Sequence, residues 1–163
     1  MPSQRTIRYQ GAILRDDQIL LIRHQEHASG RSYWVIPGGG REPDETEEAC
    51  VQREMREETN LEVRVEKLLL DEDGAITGIY QRLRTYLCTI IKGGEARPGY
   101  EPEPAAAEQY AIAEVRWFDL KDIAALEKEA GKDPFTYPLV QRIRVILGYS
   151  RESSTNGKIN TRA

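Results

Sequence analysis

Glu54, Glu57 and Glu58 stand at i, i+3 and i+4, so a helix carries all three on one face with their Cβ atoms roughly 5–6 Å apart. Two carboxylates about 6 Å apart repel by roughly 0.7 kcal/mol in bulk water and by roughly 3 kcal/mol at an effective dielectric of 20. Three of them in a cleft ask for a counter-charge. Carboxylates suit a hard cation, Mg²⁺ first and Mn²⁺ next, whereas Zn²⁺ would be expected with His or Cys ligands at motif spacing, which this sequence lacks. A solvated acidic helix face is the plainer reading of such a cluster, but it leaves the preceding turn unexplained.

That turn is Pro37-Gly38-Gly39-Gly40, whose missing side chains let backbone groups approach an ion or a phosphate. The helix start is well marked. Thr46 can serve as N-cap, and Glu47 and Glu48 fall in the first turn, where the helix dipole favours negative charge. Val51 and Met55, one turn apart, can face the core while the three glutamates point elsewhere. Asn60 is placed to close the helix in the left-handed conformation.

Gly39, five residues, Glu45, seven residues, then Arg53-Glu54-Met55-Arg56-Glu57-Glu58-Thr59-Asn60-Leu61 resembles the Nudix box of the Nudix hydrolases. One position departs from that pattern, Asn60 standing where the family has glycine. Asn tolerates positive φ, so the loop–helix–loop is expected to survive, and Gly at position 60 is expected to serve equally well. The resemblance implies that Glu54, Glu57 and Glu58 bind metal with the Gly38 carbonyl as a backbone ligand, and that Arg53 and Glu45 orient those ligands. It also implies Mg²⁺ or Mn²⁺ as cofactor, a small-molecule nucleotide as substrate, and an α/β/α sandwich with a mixed β-sheet between helices. Many relatives are dimers, which makes a homodimer possible, and the sequence marks no interface.

The remaining chain agrees with that layout. Residues 4–14 and 18–23 read as strands around Arg15-Asp16-Asp17-Gln18, with Ile19-Leu20-Leu21-Ile22 as a buried run. Leu61 to Val65 alternates, and Tyr80 to Ile91 reads as a longer strand. Glu114 to Leu120 resembles the family's last sheet strand, leading into a helix from Lys121 to Ala130, and an amphipathic helix follows Pro138.

With 163 residues, 39% hydrophobic and 31% charged, the chain suits one domain, residues 1–150, followed by a polar tail over 151–163. No apolar run approaches a membrane span and no signal peptide is visible, so a cytoplasmic protein without membrane partners is expected. Cys50 and Cys88 are isolated and read as buried free thiols. A net charge of −4 argues against a broad nucleic-acid surface.

Phosphoryl chemistry requires charge neutralisation on the phosphate oxygens and a water held in line with the leaving group. The expected reaction is metal-dependent hydrolysis of a nucleoside diphosphate linked to another group, by water attack at phosphorus. The alternatives are RNA 5′-end processing and a non-catalytic nucleotide-binding regulatory domain on the same fold. For the base, the family suggests Glu54 or an acidic residue in the loop before the last strand. Glu108 is the first choice in that loop, Glu101 and Glu103 are competitors, and a solvated loop glutamate describes any of them equally well. Tyr33, Tyr80, Tyr100 and Tyr110 can stack on a base, and Arg82 or Arg84 can meet a phosphate, although packing or surface is the plainer reading of each. Trp34 reads as core, and His24 and His27 as residues of a polar loop.

Overall fold

Two long strands, β1 (Ile7–Arg15) and β2 (Gln18–Glu26), are joined by a tight turn in which Asp16 takes a φ of 56°, a left-handed conformation that Asp tolerates. In the computed structural model, residues 6–73, 80–92, 94–101 and 104–149 are described. The remaining elements are β3 (Ser32–Val35), β4 (Gly38–Gly39), α1 (Glu47–Thr59), β5 (Glu62–Asp73), β6 (Arg82–Lys92), α2 (Pro104–Ala107), β7 (Tyr110–Asp119), α3 (Ala124–Ala130) and α4 (Thr136–Ile146). The expected tail over 151–163 lies outside the described residues.

One mixed sheet organises the chain in the order β3-β2-β1-β6-β5, with β4 on β1 and β7 on β2. β1 and β6 run parallel from Ile7↔Arg82 to Leu14↔Thr89, and the other pairs are antiparallel. Both faces are covered. On one, Tyr9, Ile13, Leu20 and Cys88 pack with Cys50, Val51 and Met55 of α1. On the other, Ile19, Leu21, Trp34 and Phe118 pack with Leu126 of α3 and Leu139, Val140 and Ile143 of α4. The α/β/α sandwich is thus present, with Trp34 in a core and both cysteines buried and free.

Several boundaries differ from the sequence expectation. β1 starts at Ile7, Thr6 being a bend, and β6 starts at Arg82 rather than Tyr80. β2 continues to Glu26 and β7 begins at Tyr110, because the two pair along their whole length from Gln18↔Asp119 to Glu26↔Tyr110. Ladder hydrogen bonds hold polar residues there that show no apolar alternation. β5 likewise runs on to Asp73 against β6. α3 starts only at Ala124, since Asp119 and Asp122 accept the N–H groups of Lys121 (2.8 Å) and Ala124 (3.2 Å) and hold the preceding stretch in turns. α4 starts at Thr136, two residues before Pro138, and proline is tolerated in a first helical turn, where no backbone donor is needed. Among the described residues, no helix is long and apolar enough to cross a membrane.

Candidate active site

α1 is held at both ends by its own sequence. The Thr46 hydroxyl accepts the N–H of Ala49 at 3.0 Å, and Asn60 closes the helix with a φ of 63°. The side of α1 that turns from the Val51–Met55 core toward β4 carries the carboxylates. Glu54 is 4% exposed and Glu58 1% exposed, while the Glu57 side chain is 18% exposed.

Arg53 is the hub of this face. Its Nε and Nη2 form a bidentate pair with Glu45 at 2.6 and 2.9 Å, and its Nη1 donates to both Glu54 and Glu57 at 3.1 Å. Nη2 also donates to the Gly40 carbonyl at 3.1 Å. Glu45 in turn accepts the N–H of Glu42 at 2.9 Å, so one guanidinium ties the loop before α1 to two helix carboxylates. A fork of this geometry fixes orientation as well as charge.

Glu58 is held differently. Its Oε1 accepts the Gly38 N–H at 2.8 Å, whereas its Oε2 is buried with no hydrogen-bond partner. Gly38 therefore meets the cluster through its N–H. A side chain at Gly39 would run into the Glu54 carboxylate, which is the packing reason for glycine there. Burial pushes the Glu54 carboxyl up to about 7 against the pull of Arg53. Burial, with the Glu54 charge beside it, raises Glu58 well above the usual carboxylate range. A buried carboxylate with a spare oxygen is costly unless a cation or proton meets it.

The donors are all hard oxygens, and the orphaned Glu58 Oε2, with the Glu54 carboxylate packed against Gly39, fits a divalent cation. In the present side-chain positions no three acidic, His or Cys groups among the described residues converge tightly enough to hold an ion. Arg53 instead bridges Glu54 and Glu57.

The family model of the NUDIX domain matches residues 6–139. The chain belongs to the NUDIX family. It is 28% identical over 113 residues to a MutT-like protein of Streptomyces ambofaciens, covering 69% of this chain and 64% of that one. It is 31% identical over 90 residues to the NAD-capped RNA hydrolase NudC of Photobacterium profundum, covering 55% of this chain and 32% of that one. The chain thus spans less than two thirds of the length of these relatives. A NUDIX hydrolase from Nitrosomonas europaea shares the fold with a TM-score of 0.66 at 17% identity, covering 91% of this chain and 99% of that one.

Beyond the NUDIX box, the structure sorts the other expected site residues. Tyr110 and Tyr33 both meet His24, whose ring stacks on Tyr110 at 4.0 Å and stands edge-on to Tyr33 at 5.6 Å. Arg82 and Arg84 are engaged elsewhere: Arg82 pairs with Asp71 at 2.7 Å and Asp73 at 3.3 Å, and Arg84 with Asp71 at 2.6 Å and Glu47 at 2.9 Å. They lie on the β5–β6 ladder, where cross-strand carboxylates already occupy them. Glu108 is exposed in the turn between α2 and β7. Among the described residues, Glu101 is the loop carboxylate whose charge reaches both Glu54 and Glu58, and it accepts the Tyr110 hydroxyl at 2.8 Å. Glu103 lies outside the described residues.

His24 corrects the expectation of a polar loop. It sits inside β2, 5% exposed, with Nε2 buried and unpartnered. Burial first, then the charge of Arg8, lowers it to about 3, so the ring is neutral. His27 is exposed, as expected for a turn. Nothing in the sequence singles out Arg8. It donates to the Ile36 carbonyl at 2.7 Å and to Gln10 at 3.1 Å, and its charge acts on both Glu54 and Glu58. A single Arg at the start of a strand carries no motif, so only tertiary proximity reveals it.

Proposed function

We propose that this chain hydrolyses the phosphoanhydride bond of a nucleoside diphosphate linked to another group, with a divalent cation and with water attacking phosphorus. The observation that carries this reading is the pair of buried carboxylates, Glu54 and Glu58, one of which has an oxygen with no partner in the protein. Glu54, Glu57, Glu58 and the backbone at Gly38 are the groups that would hold Mg²⁺ or Mn²⁺. When bound, the cation would neutralise phosphate oxygens and acidify a bound water.

The chain supplies the rest. Arg53, braced by Glu45, sets the directions of Glu54 and Glu57. Glu101 is the carboxylate outside the box that accepts the proton from the attacking water, in place of Glu108, and the Tyr110 hydroxyl fixes its orientation. Glu54 is the competing base within the box. Arg8 adds positive charge beside the cluster, where a diphosphate would sit.

A UDP-X diphosphatase shares the fold with a TM-score of 0.58 at 18% identity, which supports a diphosphate-linked nucleotide, while the likeness to an NAD-capped RNA hydrolase keeps RNA 5′ ends as the second reading. Nucleotide sugars, dinucleoside polyphosphates and nucleoside triphosphates are the candidate substrates, met in the cytoplasm. RNA 5′ ends rank lower, because net charge is −4 and Arg82, Arg84, Arg116 and Arg142 are all ion-paired. A purely binding role ranks lower too, since every box carboxylate is present. The test is nucleotide and phosphate release from a panel of these compounds with Mg²⁺ or Mn²⁺, using Glu57→Gln as the blank. Turnover of one class that vanishes in the variant is the expected result, and equal turnover by the variant overturns the assignment.

A further inference from the structure

Any residue that tolerates a positive φ could end α1, and glycine does so with the least strain. The side chain of Asn60 does something glycine cannot. Its Nδ2 donates to the carbonyls of Arg97 at 3.0 Å and Pro98 at 3.4 Å, on the segment that follows β6. That segment lies directly across the end of α1. Arg97 N–H donates to Thr59 O at 3.0 Å, Gly99 N–H to Glu58 O at 2.9 Å, and Tyr100 N–H to Glu57 O at 3.1 Å. With Asn60 N–H on Arg56 O at 3.1 Å, the last four carbonyls of α1, which a helix cannot satisfy internally, all have donors.

The approach is so close that a Cβ at Gly99 would collide with the Glu57 carbonyl. Pro98 has no N–H, so the loop donates on either side of it and presents its carbonyl to Asn60 instead. The backbone carbonyls of Glu57 and Glu58 are thus fastened to residues 99 and 100, and Glu101 is the next residue along.

From this we infer that Asn60 is a positioning residue: its side-chain amide clamps the segment Arg97–Tyr100 onto the end of α1 and so sets Glu101 against Glu54 and Glu58. The departure from the box is a device that couples the helix bearing the carboxylates to the loop bearing the fourth. It changes the sequence expectation that Gly at 60 would serve equally well. Glycine keeps the helix cap and loses the clamp. The consequence for catalysis rests on the proposed role of Glu101, whereas the clamp itself does not.

The experiment compares Asn60→Gly, which keeps positive φ, and Asn60→Asp, which keeps the shape but cannot donate. Amide hydrogen exchange at Gly99 and Tyr100 is measured in the metal-free protein, with kcat and KM on the best substrate of the panel and with Glu101→Gln alongside. Expected are a melting temperature for Asn60→Gly close to the parent, exchange at Gly99 and Tyr100 faster by roughly fivefold in both variants, and kcat lower by roughly ten- to a hundredfold with KM nearly unchanged. Unchanged exchange in both variants overturns the clamp. Faster exchange with undiminished kcat, while Glu101→Gln is inactive, overturns the positioning role. Full turnover by Glu101→Gln removes the proposed base instead, and the exchange rates then decide the clamp alone.

Discussion

The two faces of the sheet both bury charged and polar groups, and they treat them in opposite ways. On the α3/α4 face, Arg144 is 1% exposed yet donates to the Leu120 carbonyl at 2.8 Å and to Gln141 at 2.7 Å. Beside it Thr136 donates to the Trp34 carbonyl at 2.7 Å, and the Trp34 indole to Glu129 at 3.0 Å. On the α1 side, Glu58 Oε2 and Arg41 Nε are buried without partners, and His24, opposite the face that holds Trp34, has an orphaned Nε2. Native proteins satisfy nearly all buried polar groups, and exceptions concentrate where a ligand completes the set. Among the described residues, one face is therefore finished by the chain alone, and the other is left for something else to finish.

The largest expected effect tests the unfinished side. Glu58→Gln should reduce metal-dependent turnover by roughly a thousandfold, the size of losing several kcal/mol of charge stabilisation. It should also raise the melting temperature of the metal-free protein at a pH high enough to ionise Glu58, because there a buried charge is replaced by a neutral amide. A metal-free variant less stable than the parent would break the comparison, since it would mean that the carboxylate is already satisfied.

The mirror experiment is Arg144→Met on the finished side. Losing the charged donor strands the Leu120 carbonyl and should cost about 2–3 kcal/mol, read by denaturant unfolding. Turnover per folded molecule should stay at the parent value, and a fall there would show that the two faces are coupled.

The effect that is smallest near neutral pH, and grows as the solution is acidified, concerns His24. His24 is lowered from 6.5 to about 3 in the folded protein, so between these values the unfolded chain binds the extra proton. Its contribution to stability is present above pH 6.5 and is lost as pH falls toward 3, with a limiting slope of about 1.4 kcal/mol per pH unit. His24→Phe keeps the stack on Tyr110 and removes the titration. The difference between parent and variant stability across pH 3 to 7 isolates that slope, and parallel curves would show that His24 is solvated.

The parts of the site that were legible from sequence are local. Thr46, Glu54, Glu57, Glu58 and Asn60 follow from helix periodicity and capping, which depend on neighbours three and four residues away. Arg53 and Glu45, eight residues apart, meet as the box resemblance implies. The hidden parts are those that meet across large separations: Arg8 with Ile36, Tyr110 with His24, and Asn60 with Arg97. His24 reads as a loop residue in sequence, yet the ladder between β2 and β7, and not an alternating pattern, makes it and Tyr110 strand residues.

By itself, the sequence determined a loop–helix–loop bearing three carboxylates on one face, since spacing along a helix is geometry that needs no partner. It also determined two apolar faces whose burial demands a layered fold. Only the tertiary structure decided that Glu101, among the described loop carboxylates, lies within electrostatic reach of the cluster, which arginine shares its field and which arginines are spent on ion pairs. Those choices depend on how distant segments dock, and docking is set by the sum of packing and hydrogen bonds over the whole chain rather than by any local run of residues.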